Sequence, residues 1–278
     1  MKKNNLLIFS LSIIFFGCAT LKKNNTVKQV DINAYIDLVD VNDDKVKVVI
    51  DPPKISDDEI TFDIPKNKSY LSYYEDGLSY IKDASNPRER LHIDFLKGKL
   101  AWRVKRFQHE GNMKKALGKH KRTLSIFDAT AGLLFDSMIF LSLGHKVVAL
   151  EQSKIIYSLV KDALDRADNK ISYLKNLKFI NEDSITFYKK NYEKFDVIYL
   201  DPMYPIIKKS TKKTGNIEHI KKILEYEGFK REDSGIIEEF LKCKFKKIIL
   251  KRPLKSKKTY SNINYQVKGK TTKFDIYL

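Results

Sequence analysis

From residue 124 onward, short apolar runs alternate with stretches whose apolar positions recur every three or four residues. "LSIFDA" has the length and continuity of a buried strand, and "LLFDSMIFLSLG" follows as a helix ending at Gly144. "KVVALE" predicts a second strand. "KIIYSLVKDALDRA" predicts a second helix, with Ile155, Leu159 and Ala163 along one face. "LKFIN" and "FDVIYLD" read as further strands with "SITFYKKN" between them. "NIEHIKKILEYE" and "GIIEEFLKC" read as helices, "KKIILK" as a fifth strand, and "FDIYL" as a last strand. Strand–helix alternation of this kind predicts an α/β fold with a parallel, doubly wound sheet.

Upstream, the pattern is different. Residues 45–100 alternate short apolar runs with turn signals, as in "KVKVVI", "EITFDIP" and "LHIDF", and predict a small β-rich domain. The stretch from 97 to 122 is strongly basic, with Trp102 and Phe107 interleaved, and residues 101–122 are expected to connect the two domains. The main domain is then 123–278, and residues 1–44 form a leader and linker.

Charge narrows the choice of partner. The 278 residues carry 53 Lys and Arg against 35 Asp and Glu, formally +18. That excess points to a polyanion, nucleic acid first and an anionic membrane second. A general lysine bias is the plainer explanation of the same numbers. The two cysteines, Cys18 and Cys243, form no CxxC pair, so neither a zinc site nor a disulfide framework is expected. Lys2 and Lys3 precede an apolar run over 6–16 and then Gly17-Cys18, the form of a bacterial lipoprotein signal. The run is short for a membrane span.

In a doubly wound sheet, ligands bind outside the carboxyl ends of the strands. Four such ends carry unusual residues. The first is Asp128, followed by the small residues Thr130, Ala131 and Gly132, which let a ligand approach the backbone. Glu151 ends the second strand, 19 residues after Gly132. This is the spacing of an acid that grips a ribose diol. Asn181, Glu182, Asp183 and Ser184 end the third strand, where an acid or amide can meet an adenine edge. Asp201 ends the fourth. Taken singly, Glu151 also suits a helix start, and Asp183 suits a helix cap. Together they predict a nucleoside cofactor.

The fourth end reads "VIYLDPMYP". Two prolines around an aromatic make a stiff loop. Asp201 and the carbonyl of Pro202 are two acceptors for the N–H groups of an exocyclic amine. Tyr204 offers a surface on which a rotated-out base can stack. The expected electrophile is the sulfonium methyl of S-adenosylmethionine. A proline-rich turn with a capping aspartate is the simpler alternative.

"DATAGL", "ALE", "YLDPMYP", "LKRP" and the closing "KTTKFDIYL" occur in this order. They resemble the bacterial 16S rRNA guanine-N2 methyltransferase J family over roughly residues 45–278. The resemblance implies a Rossmann-like S-adenosylmethionine-dependent methyltransferase sheet with a small N-terminal β-rich domain. It implies methyl transfer to the 2-amino group of one guanosine of 16S rRNA, guanosine 1516, in the small ribosomal subunit. Cofactor contacts carried over by position fall at Asp128, Gly132, Phe135, Asp136, Glu151, Gln152, Asp183, Ser184 and Asp201. Asp201, Pro202 and Tyr204 take the catalytic positions. Phosphate contacts are expected at Arg103, Lys105, Arg106, Lys251 and Arg252, and no metal is expected. Leu134 stands where the family usually has a second glycine, Gln152 where arginine is common, and "QHEGNM" is a shortened glycine-rich stretch. S-adenosylmethionine and rRNA are cytoplasmic, so the resemblance implies a cytoplasmic protein with no membrane partner. The segment 1–18 conflicts with this and is taken as a mis-set start or an unprocessed extension. Two alternatives remain open: an amino-group methyltransferase acting on tRNA or DNA, and an exported lipoprotein that uses the fold for binding only.

Overall fold

The computed structural model describes residues 47–49, 69–83, 85–86, 88–202, 215–229, 234–256, 260 and 262–278. The leader 1–44 and the run "EITFDIP" lie outside these residues. The chain divides into two compact units between His92 and Ile93.

In the first unit, β1 (Lys47–Val49), β2 (Tyr70–Tyr74), β3 (Gly77–Ile81) and β4 (Arg90–His92) pair in chain order. β1 runs parallel to β2, and the other pairs are antiparallel. Tyr74 pairs with Gly77 across a tight turn. Gly77 has φ +119°, a region open to glycine because it lacks a Cβ. Arg90 holds Asp76 of this turn through two hydrogen bonds, 2.9 and 2.7 Å, and lies 4.1 Å from the centre of the Tyr74 ring. Tyr70, Leu71, Leu78, Tyr80, Ile81 and Leu91 are buried.

The second unit opens with two helices, α1 (Gly98–Lys105) and α2 (Gly111–Leu117), in the stretch expected as a connector. α1 buries Leu100, Ala101 and Val104, a helical spacing that the surrounding lysines and arginines mask in the sequence. There follow β5 (Ser125–Asp128), α3 (Phe135–Ser142), β6 (Lys146–Leu150), α4 (Lys154–Ala167), β7 (Leu177–Ile180), α5 (Ser184–Asn191) and β8 (Val197–Leu200). α6 (Gly215–Tyr226), α7 (Ser234–Leu241), β9 (Ile248–Pro253), β10 (Tyr265–Lys268) and β11 (Thr272–Tyr277) complete the unit.

The sheet order is β10-β11-β9-β8-β5-β6-β7. The five strands from β9 to β7 are parallel, and β10 and β11 are antiparallel to their neighbours. The expected all-parallel sheet is therefore corrected at one edge. A parallel return needs a crossover of about a dozen residues or more, usually a helix. β10 and β11 are instead joined by a short hairpin turn, which enforces the reversal. A Cβ at Gly269 in that turn would lie 2.7 Å from the Asn112 side chain of α2 and 3.1 Å from the Thr272 carbonyl, so a larger residue there would require the Asn112 amide to move. Phe127 of β5 centres an aromatic cluster with Phe187, Tyr188, Phe195 and Phe240, at ring separations of 4.9 to 6.1 Å. No helix among the described residues is long and apolar enough to cross a membrane.

The reversed edge is tied by a fully buried ion pair. Arg252 of β9 donates to Asp275 of β11 at 2.7 Å and to Ser256 at 2.8 Å. Gln266 of β10 donates to the other oxygen of Asp275 at 2.7 Å. Removing one partner of a buried pair leaves an uncompensated charge, at a cost of about 3–5 kcal/mol. Asp275→Ala should therefore lose about that much stability in urea unfolding, whereas Arg252→Met with Asp275→Leu should lose much less. Equal losses in the two proteins would show that packing, not charge, is at stake.

Candidate active site

The order of the sheet reverses between β5 and β8, so a crevice opens at their carboxyl ends. Most of the expected site residues gather there. Asp128, at the end of β5, is buried and accepts hydrogen bonds from the Ser137 hydroxyl at 2.6 Å and the Thr130 N–H at 3.2 Å. Burial pushes its carboxyl up to about 7, against the pull of these two donors.

The loop after β5 then makes two left-handed turns. Gly132 has φ +50° and Leu134 φ +60°. For an L-residue this conformation costs roughly 1–2 kcal/mol. Leu134, which stands where the resemblance implies a glycine, thus occupies a conformation that favours glycine. Its side chain is fully buried, which offsets the strain. It is the residue from which α3 starts, and α3 presents Phe135, 41% exposed, and Asp136, buried.

The carboxylate of Glu151 accepts the Gly132 N–H at 2.9 Å and the Ser153 N–H at 2.8 Å. The spacing of 19 residues read from the sequence is thus a direct contact. Burial pushes the Glu151 carboxyl up to about 7, although the two N–H groups pull it down and nearby Glu227 pushes it up. Gln152 is exposed beside it. Asn181 braces this turn by donating to the carbonyls of Glu151 at 2.7 Å and Gln152 at 3.1 Å. Asp183 caps α5 by accepting the Thr186 N–H at 2.8 Å, and Ser184 is buried behind it.

The densest charge lies between α3, β8 and β9. Lys251 donates to Asp136 at 2.6 Å and to Asp201 at 2.7 Å. Asp136 also accepts from Tyr199 at 2.5 Å and from Arg103 at 2.8 Å. Arg103 in turn holds Glu110 at 2.6 Å. Burial works against ionisation of Asp136, but Lys251 and Arg103 prevail and hold its carboxyl below the usual range. Asp201 is raised by burial and by Asp136, with Lys251 opposing. The two acids compete for one ammonium, and Asp201 is the one that gains a proton first. The Asp201 N–H donates to the Thr130 hydroxyl at 2.7 Å, which ties the two strand-end loops together. Pro202 is buried, and Tyr204 lies outside the described residues.

One of the expected phosphate contacts is corrected. Arg252 is 1% exposed and bound to Asp275, so no phosphate reaches it. Lys251 and Arg103 are spent on acids of the site. Lys105 and Arg106 remain exposed. Tyr199 was not legible as a site residue, and Thr130 was legible only as a small residue of the ligand loop, not as the acceptor of the Asp201 N–H. A hydroxyl within the fully buried strand "VIYL" was the available signal for Tyr199. No group of three or more His, Cys, Asp or Glu side chains among the described residues could hold a metal ion.

Thr130→Val removes the acceptor of the Asp201 N–H. An unpaired buried donor costs about 1–3 kcal/mol. The variant should lose stability in that range, and the amide proton of Asp201 should exchange faster in hydrogen-exchange mass spectrometry. Unchanged exchange would mean that the loops are not coupled through this bond.

Known proteins resemble this chain. The family described as "Putative SAM-dependent methyltransferase" matches residues 58–278. A ribosomal RNA small subunit methyltransferase J from Francisella tularensis subsp. novicida is 34% identical over 237 residues, covering 81% of this chain and 93% of the relative. A protein of the same name from Bdellovibrio bacteriovorus is 30% identical over 217 residues, covering 77% and 83%. The crystal structure of a SAM-dependent methyltransferase from Neisseria gonorrhoeae has the same fold, with a TM-score of 0.59 and 24% identity over 78% of this chain and 86% of that one. The chain belongs to the ribosomal RNA small subunit methyltransferase J family, whose members use S-adenosylmethionine.

Proposed function

We propose that the chain methylates the exocyclic 2-amino group of a guanosine in the 16S rRNA of the small ribosomal subunit. Family membership supports the cofactor and the class of RNA. The observation that carries the chemistry is the anchoring of Asp201 at the crevice, with its N–H on Thr130 and one carboxylate oxygen on Lys251.

The residues present fit S-adenosylmethionine. Each oxygen of Glu151 accepts one backbone N–H and keeps a lone pair, so the carboxylate can take both hydroxyls of a ribose. Asp183 and Ser184 would meet the adenine edge, with Gln152 beside the ribose. Asp128, Gly132 and the exposed ring of Phe135 would line the methionine side. Asp136 holds this wall through Lys251, Arg103 and Tyr199. When bound, the cofactor supplies an electrophilic methyl group.

The remaining work falls to this chain. The lone pair of a guanine amino group is delocalised into the ring. A carboxylate and a carbonyl that accept its two N–H groups favour the pyramidal, nucleophilic form. Asp201 and Pro202 take these roles. Lys251 occupies Oδ2 of Asp201, so Oδ1 faces the amine. The methylated amine gives up its proton to Asp201, whose raised carboxyl suits it to accept one, and then to water. Tyr204 would stack on the base.

Asp201→Asn should lower single-turnover methylation of small subunits about 100- to 1,000-fold at saturating cofactor, the usual loss for one preorganised acceptor. A near-normal rate would reduce the loop to a rigid turn and sink the assignment.

The cofactor reading has its own test. Ribose hydroxyls donating to Glu151 favour its ionised form, so they pull its carboxyl down from about 7. Binding should then release a proton near neutral pH, and affinity should rise with pH and level off above about 7. Calorimetry in two buffers of different ionisation enthalpy reads the proton directly. Glu151→Gln should abolish the release. If the release persists in that variant, the ribose is held elsewhere.

A further inference from the structure

The sequence contains one tryptophan, Trp102, and the fold leaves it 60% exposed on the outer side of α1. The core-facing side of that helix is Leu100, Ala101 and Val104. The outer side reads Lys99, Trp102, Lys105 and Arg106, all exposed and at helical spacing. The Arg106 guanidinium lies 4.6 Å from the centre of the Trp102 ring and covers one face of it. Neighbouring Lys97, Gln108 and His109 are exposed too. Among residues 97–109, every exposed side chain other than Trp102 is polar or charged, whereas the core of a protein-docking patch is depleted in charge.

The helix is also fixed to the catalytic crevice. Arg103 donates to Asp136, Asp136 accepts from Lys251, and Lys251 donates to Asp201. The helix that carries this face is therefore tied to Asp201 through a chain of short ionic hydrogen bonds.

We infer that the outer face of α1 docks single-stranded RNA next to the target nucleotide, with an unpaired base on Trp102 and phosphates on Lys99, Lys105 and Arg106. This deepens the rRNA reading and rests on it. The chemistry selects the partner. A flat aromatic stacks on a base of any sequence, and cations that flank it meet the backbone of the same strand. A fully paired duplex hides its base faces and offers only phosphates. Arg103 has no part in the contact. It is a positioning residue that sets the helix against the site.

Because Trp102 is the sole tryptophan, its fluorescence reports this face alone. The full chain is titrated with a single-stranded oligonucleotide from the 3′ region of 16S rRNA, with a duplex of the same sequence, and with anionic phospholipid vesicles. The single strand should quench Trp102, and the duplex should bind with little quenching. Trp102→Ala should weaken single-strand binding about 5- to 100-fold, while Trp102→Phe keeps most of the affinity. Lys105→Gln with Arg106→Gln should flatten the dependence of affinity on salt. Unquenched emission, or full affinity in Trp102→Ala, in a protein that still methylates small subunits would overturn the docking face and leave the methylation reading intact. A wild-type chain that neither binds this RNA nor methylates subunits would overturn the methylation reading, and the docking face with it. Quenching by vesicles but not by RNA would reassign the face to a membrane surface.

Discussion

One ammonium group holds the crevice together. Lys251 stands between two carboxylates that could not both stay ionised so near each other without it. Its position follows from sheet register. Leu250 of β9 pairs with Leu200 of β8, so the next residues, Lys251 and Asp201, come side by side where β8 ends. α3 brings Asp136 to the same ammonium, and α3 can start where it does because Leu134 accepts a left-handed backbone. Arg103 and Tyr199 complete the shell around Asp136 and leave Asp201 as the less compensated acid. That imbalance holds the Asp136 carboxyl below its usual range while burial raises that of Asp201.

The register is itself held from behind. Side chains alternate across a strand, so Lys251 and Arg252 leave β9 on opposite faces. Lys251 enters the crevice. Arg252 enters the core beside β11, where Asp275 and Ser256 receive it and the Tyr260 ring lies 5.2 Å away. Two adjacent cations that look alike in "LKRP" therefore do unrelated work. One balances the acids of the site, and the other fastens the reversed edge of the sheet on which the first depends.

The same division governs how the net charge of +18 should be understood. Arg103, Lys251 and Arg252 are spent on internal carboxylates, and Arg122 pairs with Asp196 at 2.7 and 2.8 Å. Cations left for a polyanion are those on outer faces, such as Lys99, Lys105 and Arg106 on α1. A large positive balance is compatible with RNA binding, but it does not say which residues touch RNA. Burial and internal pairing make that choice.

The sequence by itself determined whatever rests on local periodicity or on a fixed loop length. The run "KIIYSLVKDALDRA" is α4 from Lys154 to Ala167, because its apolar positions share one face. The spacing from Gly132 to Glu151 is a hydrogen bond, because the strand and helix between them set the distance. The placement of Asp201 at a strand end follows from the buried run before it. Only the tertiary structure decided the partners of the cations and the direction of the last strands. Lys251 and Asp136 are 115 residues apart in the chain, and Arg103 and Asp136 are 33 apart. No local pattern records such a contact. An ion pair forms where packing brings opposite charges together away from water, and that is a property of the assembled sheet.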